Sequence, residues 1–167
     1  MADLEKAQKD PETQLWEVMD DVHAGMLGVE GTGQHLQPMA PNGDRVTKSI
    51  WFYARKDSDL VRSLDSPKPA YFCVIGDKHD YHASLAGQLE VNNDRGKIDE
   101  YWNSVVAAWF DGGKDDPSLV MLQMKLSDAA IWASRNNPIT FGWEITKANV
   151  GTGDPDLGVR NHVRFAA

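Results

Sequence analysis

The chain has 167 residues, 41% hydrophobic and 25% charged, proportions that exclude a disordered or fibrous polymer and predict a globular protein with one main core. Its formal net charge of -8 argues against general binding to nucleic acid or anionic membrane, because both need a concentrated basic surface. The single cysteine, Cys73, cannot form an internal disulfide and is expected as a buried thiol, and no apolar run approaches the roughly 20 residues of a membrane span, so a soluble, cytoplasmic protein is expected.

Residues 1–10, of mixed charge and without the apolar region of a secretion signal, are expected as a flexible N-terminus. Asp10-Pro11-Glu12 joins a capping residue, a proline suited to the first helical position and an acid for the first turn, so a helix starts there. Leu15, Val18, Met19 and Val22 give that helix one apolar face before Gly25 interrupts it. Met26 to Val29 and Leu36 to Met39 read as paired strands around Gly31-Thr32-Gly33, and Pro41-Asn42-Gly43-Asp44 reads as a turn. Ser49 to Tyr53 and Ala70 to Ile75 read as buried strands, joined through a short helical stretch opened by Asp57-Ser58 in which Leu60, Val61 and Leu64 share a face. A longer strand spans Tyr81 to Val91. A second helix is expected from Asp94 to Phe110, with Ile98, Tyr101, Trp102, Val105 and Trp109 at helical spacing and Asp111-Gly112-Gly113 ending it. Leu119 to Leu126, Ala129 to Ala133 and Ile139 to Ile145 resume strand composition, 151–158 is loop-like, and Val159 to Phe165 is a closing strand. The sum is an α+β domain over 11–167, with a mostly antiparallel, barrel-like sheet of six or more strands and flanking helices.

The generic chemistries find little support. No glycine-rich cradle for a dinucleotide or triphosphate is present, and no Gly-x-Ser-x-Gly elbow suggests a hydrolase. His79 and His82 lie three apart, but residues so spaced on a strand face opposite ways, so a polar turn is the better reading and no metal is expected. Asp111, Asp115 and Asp116 lack the calcium-loop pattern and read as a solvated turn. Six tryptophans, Trp16, Trp51, Trp102, Trp109, Trp132 and Trp143, are many for this length, and an indole either fills a core or stacks on a planar ring.

A wider pattern selects between those uses. His35-Leu36-Gln37-Pro38-Met39, then Ile50-Trp51-Phe52-Tyr53-Ala54-Arg55-Lys56-Asp57-Ser58, then Gly87 to Val91 with Asn93-Asp94-Arg95 and Lys97-Ile98, and finally Ala108-Trp109-Phe110-Asp111-Gly112-Gly113-Lys114-Asp115-Asp116-Pro117 occur in this order. From about Leu15 to beyond Trp132 the chain resembles the general stress protein branch of the pyridoxamine-phosphate-oxidase-related flavin-binding split barrels. The resemblance implies a six-stranded split barrel over 11–167, a homodimer, and a groove at the subunit interface holding FMN or FAD. It implies cofactor-binding roles for Gln37, Pro38, Met39, Trp51, Phe52, Tyr53, Ala54, Arg55 and Ser58, with Trp109 and Phe110 approaching the ring, and places the phosphate end between Gln37 and Leu60. Catalytic residues are not legible, since redox chemistry would belong to the flavin, and the substrate is not readable.

The chain departs from the family at that end. Gln37 stands where the family commonly has arginine, and Ala54 and Leu60 where it commonly has threonine and lysine, so charge-assisted bonds to a phosphate are lost. Arg55, Lys56 and Arg62 are candidates to compensate. Besides a flavin-dependent oxidoreductase, the sequence is therefore compatible with a flavin-binding stress-response module lacking turnover, or with a binder of another planar cofactor such as a deazaflavin or heme.

Overall fold

The computed structural model describes residues 2–134 and 158–165. Its eight strands form one antiparallel sheet: β1 (Gly25–Val29), β2 (Gln37–Met39), β3 (Asn42–Asp44), β4 (Ser49–Arg55), β5 (Lys68–Ile75), β6 (Tyr81–Val91), β7 (Leu119–Ser134) and β8 (Gly158–Arg164). Strand order is β2-β1-β5-β6-β7-β4-β3, with β8 beside the second half of β7. The two end strands, β2 and β3, are separated in the chain only by Ala40 and Pro41, so the extended segment 37–44 pairs with β1 at one end and β4 at the other. This covalent link curls the sheet into a split barrel. Pro38 and Pro41 lack the N–H that would continue a ladder, which suits a strand shared between two edges.

Alternation fills the barrel. Ile50, Phe52 and Ala54 of β4 pair with Met124, Leu122 and Val120 of β7 and join Leu27, Phe72, Leu85, Leu89 and Ile131 in the core. Helix α2 (Pro11–Asp21) starts where expected, with Asp10 accepting from Thr13 N, and buries Leu15, Trp16 and Met19 on this core. Among the described residues no helix is long and apolar enough to cross a membrane.

Several expectations need correction. The N-terminal ten residues carry helix α1 (Leu4–Lys9), capped by Asp3, with Ala7 fully buried and its carbonyl bonded by Asn161 Nδ2 of β8 at 3.1 Å. Its docking partner lies at the far end of the chain, so the local Asp3 cap marks only its start. Pro41 to Asp44 is largely strand β3, because Gly43 and Asn42 pair with Ile50 and Trp51. The runs 119–126 and 129–133 are one strand with a register shift, and among the described residues the sheet has eight strands where the resemblance implied six. Ala70 to Ile75 is buried on one face only: Tyr71 and Ile75 are exposed and Cys73 is half-buried, its Sγ 3.7 Å from Ser84 Oγ. The expected strand Ile139 to Ile145 lies outside the described residues.

The helix expected over 94–110 is broken into α4 (Arg95–Tyr101) and α5 (Ser104–Ala107). Asn103 accepts from Val105 N and Val106 N at 2.9 and 3.0 Å, starting a new helix, while Trp102 adopts an extended conformation between the two. Apolar spacing continued through the break, but side-chain capping by asparagine competes with helix continuation.

Candidate functional site

The outer face of β4 carries a second, smaller apolar cluster in which Trp51, Ile98 of α4 and Met121 of β7 are buried and Tyr53, Tyr101 and Leu119 pack around them. Tyr53 donates its hydroxyl to the Ile98 carbonyl at 2.7 Å. Its ring meets Trp102 edge-on at 6.0 Å, and Trp102 meets Phe110 at 6.4 Å. Burial, aided by the neighbouring Asp99 and Tyr101, pushes the Tyr53 hydroxyl up to about 12, so it stays neutral and serves as a clamp between β4 and α4. The Trp51 indole nitrogen is buried without a hydrogen-bond partner among the described residues.

Asp44 holds α4 from the other side. One oxygen accepts from Val46 N and Thr47 N, both at 3.1 Å, and the other lies 2.8 Å from Lys97 Nζ, served by an ion pair. Burial opposes ionisation here, but Lys97 and the Thr47 N–H outweigh it and hold the carboxyl at about 2. A folded value below the ordinary one means stability that is present above pH 3.8 and lost as pH falls towards 2. Asp44→Asn is expected to cost about 2 kcal/mol near neutrality. In urea unfolding followed against pH, the gap between the variant and the wild-type chain should close across that acidic window.

The turn after β4 meets the loop before β7. Lys56 N donates to Ser118 O at 2.8 Å and Ser58 N to Arg55 O at 3.0 Å. Ser58 Oγ caps the four-residue helix α3 (Asp59–Arg62) by accepting from Val61 N at 3.3 Å. Beside this turn is a shallow depression of about 470 Å³ lined by Lys56, Asp57, Arg62, Pro117 and Ser118. Arg55 turns away to Asp57, its Nε 3.1 Å from Oδ1. Gln34, which sequence reasoning missed, donates its side-chain amide to the Asp59 carbonyl at 2.9 Å and so ties the loop before β2 to α3.

The site residues read from the sequence therefore divide. Phe52 and Ala54 fill the barrel interior, and Met39 packs against the same core, so Phe52 and Ala54 can offer a ligand only their backbone. Trp51 and Tyr53 share the outer face of β4. Gln37 is half-buried on β2 opposite Leu27, Pro38 is exposed opposite Met26, and Ser58 is engaged as a cap. Phe110 is buried against Trp102, whereas its neighbour Trp109 is 70% exposed. Trp102 joins these parts; in the sequence it is one member of an apolar stripe, and only the break between α4 and α5 reveals its position. Another hollow, of about 410 Å³ between α1, α2 and the β5–β6 turn, is lined by five carboxylates and two lysines, a charge unsuited to an anion. His79 occupies that turn, His82 lies on the outer face of β6, and no group of three metal-ligating side chains occurs among the described residues.

Comparison with known proteins agrees with this architecture. The family described as pyridoxamine 5'-phosphate oxidase like matches residues 10–156. The general stress protein 26 of Bacillus subtilis is 26% identical over 139 residues, 80% of this chain and 97% of its own. The crystal structure of a protein assigned as general stress protein 26 from Jannaschia sp. CCS1 superposes with a TM-score of 0.77 at 36% identity, covering 93% of this chain and 99% of that one. The general stress FMN/FAD binding protein of Xanthomonas citri superposes with a TM-score of 0.72 at 30% identity, covering 78% and 93% respectively. With its split barrel, its Trp-Phe-Tyr strand and these relatives spanning nearly their whole lengths, the chain belongs to the pyridoxamine 5'-phosphate oxidase-like family, in its general stress protein 26 branch.

Proposed function

We propose that this chain is a cytoplasmic, homodimeric flavoprotein that binds FMN or FAD across the outer face of β4 and acts as a flavin-dependent oxidoreductase. The observation that carries this reading is Trp109: a large indole left 70% exposed, next in sequence to buried Phe110, where the Tyr53–Trp102–Phe110 chain of rings ends. A flat, exposed aromatic surface suits stacking on an isoalloxazine ring, and the depression with Lys56 and Arg62 offers charge of the right sign for a phosphate. These residues fit a flavin nucleotide in kind. The relative from Xanthomonas citri, described as FMN/FAD binding, supports the same ligand class. When bound, the flavin would supply the electron transfer; the protein's part is to hold the ring, fix the phosphate and limit water.

A second copy is supported by the outer face of β1, β5, β6 and β7. Met26, Tyr71, Ile75 and Trp132 leave there an apolar surface that a monomer would expose to water.

The reading predicts that the purified protein, as isolated or after equilibration with FMN, shows the paired near-ultraviolet and blue absorbance bands of a flavin. Trp109→Ala should weaken flavin affinity about tenfold, the loss of one aromatic stack, while leaving thermal unfolding unchanged because the ring is mostly solvent-facing. A featureless spectrum after incubation with excess FMN and FAD would remove the proposal.

A flavin-binding module without turnover is the second reading, favoured by Leu60: it is 2% exposed and fills the core beneath α3, at a position where a cation would strengthen phosphate binding. Flavin that binds but is not reduced by nicotinamide cofactors would select this reading.

A further inference from the structure

We propose that Lys56 and Arg62, and neither Arg55 nor a residue of β2, supply the positive charge for the flavin phosphate in this chain. This rests on the flavin reading above and assigns the part of it that the sequence leaves open. Gln37 carries no charge, and Leu60 is buried, so the two positions expected to bring cations bring none. Three basic residues surround the turn after β4, and their partners separate them.

Arg55 is spent. Its Nε bonds Asp57 Oδ1 at 3.1 Å, and that bond, with the charge behind it, holds the Asp57 carboxyl below its ordinary range. Arg62 makes only a loose pair with Asp59, at 3.5 Å between side chains that are 65% and 85% exposed, and such pairs contribute little and break readily. Lys56 has no ion pair among the described residues, although its backbone is fixed by the 2.8 Å bond to Ser118 O. Lys56 and Arg62 both line the depression of about 470 Å³, and its one carboxylate, Asp57, is already neutralised by Arg55. The result is a local cationic surface on a chain of net charge -8. A guanidinium can grip two phosphate oxygens at once, and a lysine on a flexible stem adds a point charge. Ser58 Oγ accepts from Val61 N and can still donate its O–H, but it brings no positive charge.

The test compares FMN with riboflavin, which has the same ring and no phosphate. Binding is followed by quenching of flavin fluorescence for the wild-type chain, Lys56→Ala, Arg62→Ala, the double variant of these two, and Arg55→Ala combined with Asp57→Asn. The wild-type chain should prefer FMN. Each single substitution at 56 or 62 should weaken FMN about tenfold, with riboflavin affinity unchanged, whereas removing Arg55 together with its partner Asp57, which leaves the net charge of the depression the same, should keep the FMN preference. All positions are exposed, so thermal unfolding should stay at the wild-type value. The inference is overturned if the double variant at 56 and 62 keeps the FMN preference, if the wild-type chain has none, or if riboflavin weakens in step with FMN. If neither flavin binds the wild-type protein, the flavin reading itself fails and takes this assignment with it.

Discussion

Phe52→Ala is expected to destabilise the fold by about 3–5 kcal/mol, one of the largest effects available to a single substitution here. Phe52 is fully buried, meets Phe72 edge-on at 5.1 Å and pairs across the sheet with Leu122, so its removal leaves a cavity walled by β4, β5 and β7. Chemical denaturation should show the midpoint falling with little change in slope. The same residue lies in the Trp-Phe-Tyr block that points to a cofactor site, and the two roles make different predictions. Loss of stability with flavin affinity preserved in the remaining folded protein would assign Phe52 to the barrel. Trp109→Ala should give the opposite pattern, since that ring contributes almost nothing to the core. The pair of variants separates a motif kept for packing from one kept for binding.

The elements themselves were legible where one physical signal decided them. Asp10-Pro11 marked the start of α2 because capping and proline geometry are local, and β4 announced itself by its β-branched and aromatic content. Part of what failed was decided at long range: helix α1 docks through Asn161, and strand β3 exists through its pairing with β4. The break at Trp102 is local, since Asn103 caps α5, and there the continuing apolar spacing masked the capping signal. The candidate site shows the same division. Its address on β4 and the turn after it followed from the motif, but which side chains face out did not, because periodicity on a strand gives alternation without saying which face is the barrel interior. Phe52 and Ala54 point in; Trp51 and Tyr53 point out, under α4. Gln34 and Ser118 gave no sequence signal, since both act through contacts with distant backbone.

Gly87→Ala is expected to cost about 3 kcal/mol although the substitution adds a single methyl group. A Cβ at position 87 would stand 2.2 Å from the Lys125 carbonyl oxygen and 2.9 Å from its carbon, and both are backbone atoms of the central strand. Neither can move alone. Gly87 pairs with Leu126 while Ala86 pairs with Asp128, so Ser127 is the extra residue of a β-bulge and its Oγ donates to the Ala86 carbonyl at 3.1 Å. At this point β7 exchanges partners: residues 119–125 pair with β4 and 128–134 with β8. A bulge bends and twists a strand, which lets one strand serve both walls of a split barrel. The added methyl must therefore either open the β6–β7 ladder or flatten the bend. Thermal unfolding reads the cost, and hydrogen exchange locates it: amides of β6 and β7 near the bulge should lose protection before those of β1 and β5. Gly87 belongs to the sequence block that identifies the family, yet its requirement is steric. If Gly87→Ala keeps wild-type stability and uniform exchange, the close approach of β6 and β7 at the bulge is not what the position demands.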